Sequence, residues 1–82
     1  MGEPKIQLSG HSRSRIQERG LSDDDVISTI KSGRKRRTRK GEHGGWVFNY
    51  RKEFHGKTLF VCAEEVKSGK NLTIHVITAF IE

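Results

Sequence analysis

The stretch HSRSRIQERGLS, residues 11–22, decides how this chain folds. At about 100° per residue it sets His11, Arg15 and Arg19 along one side of a short helix running from about Gly10 to Arg19. Gly20 suits the left-handed position that ends a helix, and Leu21 packs back on it. Ser22 then restarts the chain as a second cap. Only Ser12 and Ile16 offer the first helix a face that packs closely, so it has to lean on its neighbours. Arg15 and Arg19 are like charges four residues apart, a pairing that costs roughly 0.2–0.5 kcal/mol in an isolated helix. The stripe therefore asks for an anionic partner, within the protein or bound to it.

After Ser22, the carboxylates of Asp23, Asp24 and Asp25 fall in a helix's first turn, where its dipole favours anions. Val26, Ile27 and Ile30 make the buried stripe, Lys31 lies in the last turn and Gly33 stands past the end. Residues 1–5 read as a flexible tail. Ile6 and Leu8 alternate with polar residues, which fits either a short strand or an apolar staple ahead of Ser9 as helix cap.

Downstream, Arg34, Lys35, Arg36, Arg37, Arg39 and Lys40 form a basic run interrupted only by Thr38. If extended, both of its faces are basic, which leaves an edge strand or a mobile arm. Gly41, Gly44 and Gly45 make a bend. From Trp46 to Tyr50 the chain alternates as a strand does, with Trp46, Phe48 and Tyr50 on one face. Phe54-His55-Gly56-Lys57 reads as a turn, Thr58 to Ala63 as a strand, and Lys67 to Asn71 as a hairpin loop. Leu72 to Phe80 is the longest β-branched run and is expected to be the central strand. The pattern predicts one α+β domain over residues 1–82: helices within 9–33 and a sheet within 34–82. Two N-terminal helices would pack on a three- to four-stranded antiparallel sheet whose other face stays partly open.

Composition narrows the function. The 82 residues carry 16 Lys+Arg against 10 Asp+Glu, a formal charge of +6, which favours nucleic acid or an acidic protein as partner. No run of some 18 apolar residues is present, so no membrane span is expected, and no apolar leader marks a signal peptide. A single cysteine, Cys62, forms no intrachain disulfide, and a cytoplasmic site of action is the simpler inference. No spacing of Cys or His suggests a metal site, the glycines form no nucleotide-binding fingerprint, and no cofactor is expected.

Taken in order, His11, Arg15, Ile16, Glu18, Arg19, Gly20, Leu21 and Ser22, then Asp25-Val26 and Ile30 to Gly33, resemble the opening signature of the domain-of-unknown-function family DUF4258. Val76-Ile77-Thr78 resembles that family's last strand. The family is commonly grouped with the Barnase, EndoU, colicin and RelE-like toxin ribonucleases, in which helices precede a four-stranded antiparallel sheet. The resemblance implies metal-independent cleavage of RNA by a positioned base with cationic help. Carried over residue by residue, it points to His11, then Arg15 and Arg19, then Thr78.

RNA cleavage of this type needs a base for the 2′-hydroxyl, a proton for the leaving 5′-oxygen and a counter-charge for the phosphorane. A histidine and two arginines are the right types. Lys57 or His75 would supply the second proton-transfer or charge role. Each residue also has a plainer reading: His11 as an exposed residue near a helix start, Arg15 and Arg19 paired with Glu18 or with Asp23 to Asp25, Thr78 as an ordinary strand residue, and His75 as a satisfied or solvent-facing histidine of an apolar strand. The basic run fits an RNA backbone, an acidic immunity or antitoxin protein, or a solvated edge that prevents aggregation. The alternative to a nuclease is a non-catalytic basic module that binds nucleic acid or an acidic partner.

Overall fold

Local rules build the helices first. In the computed structural model, which describes residues 4–54 and 56–82, the Ser22 hydroxyl accepts from the backbone N–H of Asp25 and the Asp25 carboxylate accepts from that of Ser22, a reciprocal cap. It opens α2 (Asp23–Ser32). Val26, Thr29 and Ile30 are its buried residues; Ile27, expected in that stripe, is only partly covered. Helix α1 (Gly10–Glu18) is capped by Ser9 and buries Ser12 and Ile16. It ends at Gly20, whose φ is 73°, with the Leu21 N–H reaching back to the Ile16 carbonyl.

The strands are β1 (Lys5–Leu8), β2 (Arg34–Lys40), β3 (Trp46–Phe54), β4 (Lys57–Ser68) and β5 (Asn71–Ile81), in the spatial order β1-β5-β4-β3-β2. The sheet is thus mixed and five-stranded, which corrects the expected three or four antiparallel strands. The extra strand, β1, lies before the helices and runs parallel to β5, pairing Lys5 with Thr73 and Leu8 with Val76. Lys5 is accordingly in a strand rather than in the expected tail; residues 1–3, the rest of that tail apart from Pro4, and His55 lie outside the described residues. The expected central strand is also corrected. β4 is the middle of the sheet, and β5 stands one place from the edge.

Register sorts the strand residues into two faces. Tyr50, Leu59, Val61, Ala63, Ile74, Val76 and Ala79 meet Ile16, Leu21, Val26 and Ile30 of the helical segment in one core. The alternate residues, among them Asn49, Arg51, Phe60, Cys62, Glu64, His75, Thr78 and Phe80, line the opposite face, which no helix covers. In the β4–β5 ladder Cys62 pairs with Thr78 but Ala63 with Val76, so Ile77 is the extra residue of a β-bulge.

β1 stops at the partner of Val76, and α1 takes over the edge of β5 from there. The Ser12 hydroxyl donates to the carbonyls of Val76 and Ile77 at 2.9 and 3.1 Å, and Arg19 Nη1 donates to the Ala79 carbonyl at 2.6 Å. An open strand edge is thereby closed by helix side chains. Ser12→Ala leaves buried carbonyls without this donor and is expected to lower the unfolding free energy by about 1–3 kcal/mol. The exposed neighbour Ser14→Ala should change it by less than about 0.5 kcal/mol; urea denaturation of the two variants checks the difference.

Candidate functional site

The first group of sequence-predicted site residues assembles along the seam between α1 and β5. Arg15 Nε donates to His11 Nε2 at 3.1 Å, and Arg19 Nη1 donates to Thr78 Oγ1 at 3.3 Å. Helical rise spreads His11 to Arg19 over about 12 Å, so the four residues form two adjacent pairs along one line. The expected alternative, Arg15 or Arg19 paired with the aspartates, is not what forms; the ion pair to Asp23 comes from Arg13 at 3.5 Å, and both of its side chains are exposed. Such a pair contributes little.

The basic run is an edge strand, one of the two readings open to it. Pairing with β3 puts Arg34, Arg36 and Arg39 on the open face and Lys35, Arg37 and Lys40 on the helix side, with a bulge at Thr38. Arg34 and Arg36, with Arg51 and Asn49 of β3, border a shallow cleft of about 370 Å³ that ends at Phe60. Phe60 stacks on Phe80, ring centroids 5.1 Å apart and planes 13° apart. Phe80 is 38% exposed, so this pair presents an apolar plate to solvent beside positive charge. On the helix side, Arg37 and Lys40 lie 4.5 and 4.4 Å from the Trp46 ring centroid.

The Trp46-Phe48-Tyr50 face is graded rather than uniform. Trp46 is 37% exposed, Phe48 packs against the core, and Tyr50 is buried with its hydroxyl donating to Glu65. Burial, reinforced by Glu65, raises the Tyr50 phenol well above its ordinary range, so it is no proton-transfer group near neutrality. Cys62 on the open face is raised as well, by burial, against a lowering from Arg39.

The two groups lie toward opposite edges of the sheet. β2 is three strand spacings from β5, about 14 Å, and they are joined only across the open face. Lys57 belongs to neither group. It begins β4 on the helix side and borders a cleft with Gly20, Asp25 and Leu59, and five strand steps, about 17 Å, separate it from Cys62, the partner of Thr78.

A third cluster was legible only in part, since the sequence reading singled out His75 but not Glu64. Glu64, in the central strand, is 2% exposed. Its carboxylate accepts from the backbone N–H of His43 at 3.0 and 3.2 Å and of Gly45 at 2.8 Å. The His43 ring stacks on that of His75, centroids 4.5 Å apart. The connection from β2 to β3 thus folds onto the open face, and glycine permits it: a Cβ at Gly41 would stand 2.0 Å from the Glu64 carboxyl carbon. Burial would raise the Glu64 carboxyl, but the N–H donors of Gly45 and His43 and the nearby imidazoles outweigh it and hold the group below the ordinary carboxylate range. For Glu64 the only sequence signal was an acidic residue in phase with Phe60 and Cys62, opposite a glycine-rich bend. Among the described residues, no group of three or more His, Cys, Asp or Glu is placed to hold a metal ion, and no helix is long and apolar enough to cross a membrane.

Compared with known families, residues 8–81 match the family model described as "Domain of unknown function (DUF4258)". No curated protein matches the chain.

Glu64 titrates lower in the native chain than unfolded. It therefore contributes stability that is full above the ordinary carboxylate range and is lost as pH falls through the lower native value. Glu64→Gln should lower the unfolding free energy by about 1.5–3 kcal/mol at pH 7. In urea titrations the gap to the parent should narrow as pH falls below about 4.

Proposed function

The chain belongs to the DUF4258 family, and we propose that it is a small metal-independent ribonuclease in which the α1–β5 seam and the open sheet face act together. The carrying observation is Thr78. It lies on the open face, yet Arg19 reaches it from α1, so the seam and the face meet at one residue. In this reading a single RNA strand crosses the sheet. Its phosphates follow Arg34, Arg36, Arg39 and Arg51, and a base stacks on the Phe60–Phe80 plate, as single-stranded RNA does on aromatic side chains.

The scissile phosphate then sits between Arg15 and Arg19, whose guanidiniums hold two of its oxygens, with the Thr78 hydroxyl on a third. In drawing Arg15 toward itself, the phosphate frees His11 Nε2, and that lone pair takes the 2′-hydroxyl proton. The resemblance to the Barnase, EndoU, colicin and RelE-like toxin ribonucleases supports the same reading. Lys57 has no part in it, being on the helix side of the sheet.

The second reading, a non-catalytic basic module, draws on the seven exposed residues of β2. An extended cationic edge of that kind suits RNA or an acidic protein, such as an immunity or antitoxin partner, without any chemistry.

Cleavage of total bacterial RNA in EDTA distinguishes the two. The parent should release fragments ending in 2′,3′-cyclic phosphate, and His11→Ala or Arg15→Ala, folded as judged by circular dichroism, should be slower by about 10²–10⁴-fold. Full activity in both variants removes the seam from the chemistry, and intact RNA with the parent leaves the binding module. In either case, replacing Arg34, Arg36 and Arg39 by alanine should flatten the log–log salt dependence of single-stranded RNA binding by about 2, near 0.7 per lost phosphate contact.

A further inference from the structure

Cleavage by His11 alone is half a reaction, since the leaving 5′-oxygen also needs a proton. We propose that His75, backed by His43 and the buried Glu64, is the general acid that supplies it; this inference rests on the ribonuclease reading above.

Position comes first. His75 shares the open face with Thr78, and the two are separated along β5 only by Val76 and the bulge residue Ile77. Ser12 bonds the carbonyls of Val76 and Ile77. His11 and His75 are the chain neighbours of Ser12 and Val76, so they flank one contact from opposite elements. A phosphate held at Arg15, Arg19 and Thr78 has an imidazole on either side of that contact.

Charge separates the two roles. His11 has a guanidinium for a neighbour, and its Nε2 is the acceptor of the Arg15 hydrogen bond; a proton on that nitrogen would face a cation. His75 has the opposite surroundings. Behind it lies a carboxylate shut from solvent and fixed by two backbone N–H groups, which gives an imidazolium a counter-charge. His43 is stacked on His75 at 4.5 Å. The other residue in register beside His75 is Gln7 on β1, which is uncharged. A carboxylate that only anchored the loop would need its backbone donors and no imidazoles. In this proposal His11, whose Nε2 already acts as an acceptor, takes a proton, and His75, in register with Glu64, gives one.

The step balances. His11 takes the 2′-hydroxyl proton as the O2′–P bond forms; the P–O5′ bond breaks, and His75 gives its proton to O5′. The products are a 2′,3′-cyclic phosphate and a free 5′-hydroxyl, with His11 protonated, His75 neutral and Glu64 unchanged; proton exchange with solvent resets both rings. His43 and Glu64 are positioning residues.

Leaving-group dependence tests the assignment. The purified chain is assayed on a dinucleoside monophosphate and on uridine 3′-(4-nitrophenyl phosphate), whose leaving group departs without a proton. His75→Ala should lower kcat/KM on the dinucleotide by about 100-fold or more and on the activated ester by no more than a few-fold, whereas His11→Ala should lower both. Glu64→Gln and His43→Ala should follow the His75 pattern in weaker form. Should the alanine variant unfold, His75→Gln serves instead, and the parent alone gives a further readout. Its dinucleotide activity should fall at alkaline pH as the acid loses its proton, and this limb should be absent with the ester. Equal losses on both substrates in His75→Ala, or undiminished dinucleotide cleavage, overturn the acid while leaving the ribonuclease reading intact. A parent inert on both substrates removes the reading and the acid together.

Discussion

One buried hydroxyl decides how the helical and sheet halves of this chain fit. Ser12 donates to two successive carbonyls of β5 at the bulge, where β1 has ended and the strand edge would otherwise be bare. An apolar residue there would remove this donor from both carbonyls, and at the buried Val76 carbonyl the cost is comparable to a lost hydrogen bond. With Ser12 in place, α1 lies along β5, Ile16 turns into the core, and Arg19 reaches the next outward carbonyl, that of Ala79. The direction of the helix, and hence the line His11-Arg15-Arg19, is set by this edge closure more than by apolar burial. Ile16 is the only apolar side chain α1 buries.

The core is correspondingly one-sided. α2 lies over β3 and β4 and α1 over β5, so the sheet's second face is left to polar groups, arginines and the Phe60–Phe80 plate. One stretch of that face is closed, where the β2–β3 connection folds down on Glu64 and Val47 is 1% exposed beneath it. A small domain with little surface to bury thus leaves most of one sheet face uncovered by helices. β2 fits the same economy: its charges discourage a second copy from pairing with the edge while presenting cations to both sides.

Much of this was legible in the residues themselves. The Ser22 cap, its three aspartates and Gly33 mark α2 because each acts through neighbours in sequence. The Arg34 to Lys40 run marked an edge because no central strand tolerates charge on both faces. The losses were all non-local. Four residues of alternation at Ile6 and Leu8 do not distinguish a strand from a staple, and nothing local says that they pair with residues 73–76. Missing β1 made β5 seem central, since its β-branched run is in fact shielded on one side by a helix. Glu64 drew no reading because the loop that buries it comes from some twenty residues earlier. At the site, residue type and helical spacing pointed to the His11-Arg15-Arg19 line, but Arg19 meeting Thr78 instead of an aspartate depends on the edge of β5.

The two sides of the seam are written far apart. Ser12 and Val76 are 64 positions from each other, Arg19 and Thr78 are 59, and α2 with β2, β3 and β4 is threaded between them. Long-range pairings of this kind form late, after the intervening ladders have shortened the effective loop. During synthesis the chain passes through a long period in which it is already strongly cationic but has no seam. Any fragment that stops short of Thr78 carries the charge without the seam, so the order of synthesis itself separates the cationic charge of the chain from whatever the finished seam does.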